Sequence, residues 1–215
     1  MDVSAARTAP RRRLLTLPAL TGIAYTLSWI AGLSIAAPSP KLTAAGPEIT
    51  AALAGHGGAV AAQFALTEGL PAAGLAIISI ALARAARHAG AVAAARFTGM
   101  AGLTAAVISL LQFVLGVVLA TTTAPGPAHL LYTSVSRLDG VKMFALAILA
   151  VASIATGLLP RWLRYTAVAL AIAITASGLA YLLLLPGLAT LAYVSLPLLL
   201  LFITGTGITL GRVGR

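Results

Sequence analysis

Residues 63–84, QFALTEGLPAAGLAIISIALAR, decide how this chain is read. The run is apolar except for Glu68 near its start, and it carries a helix-breaking Pro71. At about 1.5 Å per residue a helix of this length covers about 30 Å, the hydrocarbon thickness of a bilayer. A carboxyl group inside such a helix faces a large desolvation cost, so another part of the chain must stabilise it. Pro71 adds to the polarity there. It has no N–H to offer the carbonyl of Thr67, one turn earlier, and so leaves a free acceptor beside Glu68.

The remainder of the chain has the same character. Of 215 residues, 60% are hydrophobic and 8% charged, and the mean hydropathy is +1.03. Soluble domains carry about 25% charged residues, so this chain has too few to cover a surface in water. The net charge of +10 would suit nucleic acid in a soluble protein. Here the cations fall in short clusters between apolar runs with no interleaved aromatic platform, which argues for a membrane and against nucleic acid. There is no cysteine, which excludes disulfides, thiolate metal sites and thiol catalysis. Arginine outnumbers lysine twelve to two among many alanines, a bias of GC-rich bacterial genomes.

Working outward from residues 63–84, five further apolar runs predict an all-α bundle of six transmembrane helices. Their expected bounds are about 14–36, 59–83, 97–120, 138–159, 165–185 and 188–210, within a membrane domain of 14–211. Continuous runs of this length suit helices, whereas barrel strands alternate over about 10 residues. The first run follows a charged start, as a signal peptide does, but is longer than the roughly 7–15 apolar residues of a signal core. An uncleaved first span is expected. The connection at 37–58 holds Pro38, Pro40 and Pro47. The cluster TTTAPGP at 121–127 reads as a break, Pro160 stops the fourth run, and Pro186-Gly187 reads as a tight turn.

Six spans put both termini on one side. The tails at 1–13 and 212–215 and the even connections then hold Arg7, Arg11, Arg12, Arg13, Arg84, Arg87, Arg96, Arg161, Arg164, Arg212 and Arg215. The opposite side holds Lys41 and Arg137, with Lys142 inside the fourth span. Eleven cations against two place the termini in the cytoplasm by the positive-inside rule. The bacterial inner membrane is the expected location, with the arginines touching anionic lipid heads. Trp162 and Tyr165 read as interface anchors.

Small and polar residues mark helix–helix contacts in lipid. They recur at helical spacing as Thr98, Gly102, Ala105, Ser109, Gln112 and Gly116 in the third span. In the fourth the face is Asp139, Lys142, Leu146, Ala150, Ser153 and Gly157, and in the first it is Ala24, Ser28 and Gly32. The sixth carries a GxxxG pattern at Gly207 and Gly211, read as packing within the chain. Residues 196–202 of that span are nearly featureless and are expected to face lipid. The fifth and sixth spans read as scaffold.

The candidate site is Glu68, Gln112, Asp139 and Lys142, all at similar depth from the arginine-poor side. Two readings stand side by side. One is a cavity for a small ligand, cation or proton, since ionisable groups inside membranes mark such sites. The other is an ion pair, Glu68–Lys142 or Asp139–Lys142, that only fixes helix register; the second pair is local and needs no cavity. His56 and His129 lack the paired spacing of a metal site, so no metal is assigned. Ser134 and Ser136 lie near His129 and Asp139 in sequence, but helical neighbours do not make a triad. With no phosphate loop or nucleotide fingerprint, no cofactor and no catalytic residue is assigned. The expected partners are the lipid bilayer, a small ligand or cation, and, on the second reading, another membrane protein.

Four stretches carry a family resemblance: LTGIAY at 20–25, QFALTE at 63–68, RLDG at 137–140 and LLPRW at 158–162. Through them the chain resembles the bacterial membrane proteins grouped as domain of unknown function 4386. Members often place a histidine before the aspartate entering the fourth span, where this chain has Leu138. The resemblance implies a multi-pass membrane fold and location, and no activity.

Overall fold

The computed structural model describes residues 16–213, so Arg7, Arg11, Arg12, Arg13 and Arg215 lie outside the described residues. The elements are α1 (Leu17–Ser34), α2 (Gly46–Leu53), α3 (Gly57–Phe64), a π-helical turn (Ala65–Gly69) and α4 (Leu70–His88). They continue with α5 (Val92–Thr121), α6 (Pro125–Ala155), α7 (Arg161–Leu182), α8 (Pro186–Ala189) and α9 (Ala192–Val213). No strand occurs among the described residues. Six segments are long and apolar enough to cross a membrane: Leu17–Ser34, Gly57–His88, Val92–Thr121, Pro125–Ala155, Arg161–Leu182 and Pro186–Arg212.

These segments close into a ring. Each packs on its neighbour in the chain from α4 through α5, α6 and α7 to α9, and α1 closes the circuit between α9 and α4. The interior is filled by Leu75, Ile78, Leu146, Leu149, Leu163, Leu170, Ile174 and Phe202. The outside is apolar too: Leu27, Ile30, Val107, Leu110, Val114, Ile148 and Ile172 are all exposed. Such a surface would aggregate in water and belongs in lipid.

Close helix contacts are made where side chains vanish. A Cβ on Gly140 of α6 would lie 2.7 Å from the Gly178 carbonyl of α7. A Cβ on Gly207 would collide with Pro18 of α1 and one on Gly211 with Thr16 just before it, so the GxxxG pattern serves the α1–α9 contact within the chain. On α5 all six residues of the expected inward face are buried. Two other faces need amendment. Ala24 of α1 is exposed, while Thr21, Gly22 and Tyr25 are buried instead. Gly157 is exposed at φ 72° just past the end of α6, where it ends the helix rather than extending its packed face.

Three features differ from the sequence expectation. First, the break at 121–127 is only three residues long, because Pro125 and Pro127 open α6 rather than end α5. Proline fits the first helical turn, where the backbone N–H groups have no intrahelical partner. The fourth long helix therefore begins thirteen residues before the expected 138. Its first turns pack on α2, a helix within the 37–58 connection, around Ala44, Ile49, Leu53, Leu119 and Ala128. Second, residues 196–202 do not face lipid uniformly: Leu199 and Phe202 are buried in the core and only part of the run is exposed. Third, the turn at Pro186 is a short helix, and Leu184 before it has φ 54°.

Candidate functional site

The π-helical turn positions the site. Leu70 N–H bonds to the Ala65 carbonyl, five residues back. Pro71 follows and has no N–H, so the Leu66 carbonyl loses its backbone donors. Ser28 of α1 takes it up, its hydroxyl donating to Leu66 O at 2.6 Å. The acceptor met by a neighbouring helix is thus Leu66, one residue before the expected Thr67. Gly32 of α1 lets the turn sit close, since a Cβ there would collide with Thr67. Thr67 and Glu68 are both buried within this turn.

Glu68 points at α6, where Lys142 Nζ donates to its Oε1 at 2.6 Å. The same ammonium pairs with Asp139 Oδ1 at 2.7 Å. Gln112 of α5 donates through Nε2 to that Asp139 oxygen at 3.3 Å and to the Val135 carbonyl at 3.2 Å. Ser109, one turn from Gln112, lies close to Glu68. All four candidate residues therefore converge on one cluster. Both ion pairs weighed from the sequence are present at once, sharing a single lysine.

Burial is graded across the cluster. The side chains of Lys142 and Glu68 are 6% and 8% exposed, that of Asp139 20%. Glu68 Oε2 and Gln112 Oε1 are buried and have no partner among the described residues. Arg137 lies on α6 just before Asp139 but is exposed, and it forms no ion pair among the described residues. Two carboxylates thus face one ammonium.

A cavity of about 580 Å³ reaches this cluster from the arginine-poor end. Asp139 and Lys142 lie on its wall, while Glu68 and Gln112 do not line it. The connection at 39–42 and the turn around α8 line its mouth. Tyr132 holds that connection, its hydroxyl donating to Pro40 O at 2.6 Å. His129 Nδ1 lies 3.3 Å from Ala44 O and His56 Nδ1 2.9 Å from Ala54 O, so both histidines engage backbone carbonyls away from the cluster. No three potential metal ligands converge among the described residues. Ser136 donates to the Tyr132 carbonyl of its own helix.

Sequence reasoning missed much of the cavity wall. Tyr181 of α7 and Tyr193, Leu196 and Leu199 of α9 line it, although the fifth and sixth spans read as scaffold. Ser177 and Ser195, whose hydroxyl oxygens lie 3.2 Å apart, join these two helices. The signal available was the pair of tyrosines flanking Pro186-Gly187. Trp29 of α1, also on the wall, was overlooked beside Ser28. No family model, curated protein or solved structure matches the chain.

Proposed function

We propose that this chain is a non-enzymatic membrane module that binds, or passes, a small cation or proton at a cavity opening away from the cytoplasm. The observation that carries this reading is the surplus carboxylate at the cavity wall. Among the described residues Glu68 and Asp139 share only Lys142, and a net charge held in a membrane interior is costly unless it is neutralised. A register-fixing ion pair needs one acid and one base; the second acid, set against a cavity, has no such purpose. Asp139 would meet the cation, Lys142 would hold both carboxylates in place, and Gln112 would orient Asp139. Glu68 would anchor Lys142 from behind.

The orientation is part of the proposal. Arg84, Arg87, Arg96, Arg161, Arg164 and Arg212 sit at the helix ends away from the cavity mouth, which supports a cytoplasmic location for that end and for both termini. The bacterial inner membrane is the corresponding membrane, and the resemblance to domain of unknown function 4386 supports the same location.

The reading is tested by infrared difference spectroscopy on the purified protein in lipid nanodiscs. Adding sodium or lowering the pH should shift carboxylate stretching bands, and one of these shifts should be missing from Asp139→Asn, whereas the exposed Glu48 contributes equally to both proteins. An identical response in both proteins refutes the proposal.

One observation favours a second reading, an accessory subunit that packs against another membrane protein. The first and last spans, adjacent in the ring, are the least buried, each 22%. Leu27 and Ile30 on α1 with Val194 and Leu201 on α9 are exposed. A stoichiometric partner co-purifying in mild detergent, and lost with polar substitutions at Leu27 and Leu201, would support this reading; a lone monomer with unchanged behaviour would dismiss it.

A further inference from the structure

The cavity wall is unusual in what it gathers. The chain has 5 tyrosines and 2 tryptophans, and Trp29, Tyr132, Tyr181 and Tyr193 all line this one space. Tyrosine and tryptophan in membrane proteins ordinarily form belts facing the lipid headgroups, a pattern that the exposed Trp162 and Tyr165 fit. Trp29, Tyr132 and Tyr181 instead are only partly exposed and line the cavity, while Tyr193, 83% exposed, stands at its mouth. Tyr181 is near enough to Tyr132, Tyr193 and Asp139 to feel their charges, and the rings share one cavity with the cluster's most exposed carboxylate. Among the described residues no protein donor meets Asp139 Oδ2, while Oδ1 is shared by Lys142 and Gln112. Leu33, Leu196 and Leu199 complete an apolar wall.

We infer that the site takes an organic ammonium ion with an apolar body, its head held by Asp139 and the surrounding rings. The inference rests on the cation-binding reading above and specifies its ligand. Aromatic faces attract a cation through the ring quadrupole and favour weakly hydrated heads such as quaternary ammonium. The ring faces themselves coordinate no metal ion, and a single free carboxylate oxygen does not make a divalent site. An anion is disfavoured by the surplus carboxylate. Lys142 does not repel the ligand, because its charge is spent between Glu68 and Asp139. Lys41 at the rim is exposed, where solvent and salt screen it. A volume of about 580 Å³ suits a small amphiphile, within the roughly 300–1,000 Å³ of small-molecule sites.

The probe is benzyltrimethylammonium, titrated calorimetrically into the full-length protein in nanodiscs, with neopentylbenzene, its neutral carbon isostere, as the control. The wild type should bind the cation saturably and the neutral control not at all. Asp139→Asn should weaken binding by about tenfold or more. Trp29→Leu and Tyr181→Leu should each weaken it by about threefold to thirtyfold, whereas Tyr181→Phe, which keeps the ring, should stay within about threefold of wild type. Each variant is first shown to be folded and monodisperse, and the conservative Tyr181→Phe guards against misfolding of Tyr181→Leu. Absence of cation binding, while the Asp139-dependent infrared response to sodium or protons persists, overturns the inference and leaves the cation-binding reading standing. Absence of both overturns the two together. Equal binding of the charged and neutral compounds also overturns the inference, since the aromatic wall would then be a plain apolar pocket.

Discussion

Replacing Lys142 by methionine perturbs the cluster most sharply. Methionine nearly matches the length of the lysine stem, so packing changes little and the charge is what disappears. Two carboxylates are then left without their common partner, at side-chain exposures of 8% for Glu68 and 20% for Asp139. Removing one member of a buried pair costs about 3–5 kcal/mol, because the survivor is left uncompensated. For a chain of this size that corresponds to a fall in melting temperature of about 6–20 °C. The geometry also makes a finer statement. Glu68→Gln alone should cost less, since Lys142 keeps Asp139, and Glu68→Gln combined with Lys142→Met should recover part of the loss. The assay is a double-mutant cycle on reversible unfolding in mixed micelles at neutral pH. A coupling above about 1.5 kcal/mol is expected; a value below about 1 kcal/mol, typical of exposed pairs, would refute the claim that the contact is buried and tight.

Three other outcomes follow from the same geometry. Ser28→Ala leaves the Leu66 carbonyl without its donor and should destabilise the protein by about 1–3 kcal/mol, measured by the same unfolding assay, with Thr26→Ala as a comparison on the α9 side of α1. Pro71→Ala restores a backbone donor and should draw the π-helical turn toward α register, turning Glu68 by about 100° relative to α4; the Glu68–Lys142 coupling should then collapse in a repeated cycle. Gly102→Leu drives a side chain into Ser79 of α4 and should lower the folded yield severely, whereas Leu111→Ala on the exposed side of α5 should leave it near wild type in size-exclusion chromatography.

The bundle was legible because lipid imposes a strong rule: long apolar runs must satisfy their own backbone, and only helices do so within one segment. The inward face of α5 was legible for a related reason, its small and polar residues repeating at helical spacing. The beginning of α6 was not. Residues 125–137 are too polar to read as a span, and Pro125 and Pro127 look like breakers unless the chain is known to enter a helix there. The π-helical turn was half visible. Pro71 announces a disturbance, but whether it kinks the helix or widens a turn depends on Ser28 and Gly32, which lie on another helix. The four polar residues of the cluster were legible from chemistry alone, since acids and bases at similar depths in a membrane seek one another. The aromatic wall was not, because it is assembled from the ends of α1, α6, α7 and α9, and nothing in local sequence says that these ends meet around one space.

The central claim is a water-accessible path from the arginine-poor end to the charge cluster, and the absence of native cysteine makes it directly measurable. Single cysteines are placed by Ser136→Cys on the cavity wall, Ser39→Cys at its mouth, Ser79→Cys in the packed interior and Ala89→Cys at the arginine-rich end. A membrane-impermeant thiol reagent is then added to intact cells. Labelling of Ser136→Cys and Ser39→Cys, with Ser79→Cys and Ala89→Cys silent, is the predicted pattern. A reactive Ser39→Cys beside an unreactive Ser136→Cys, in folded protein, would mean that the cluster is sealed from water and serves only to hold α4 and α6 in register.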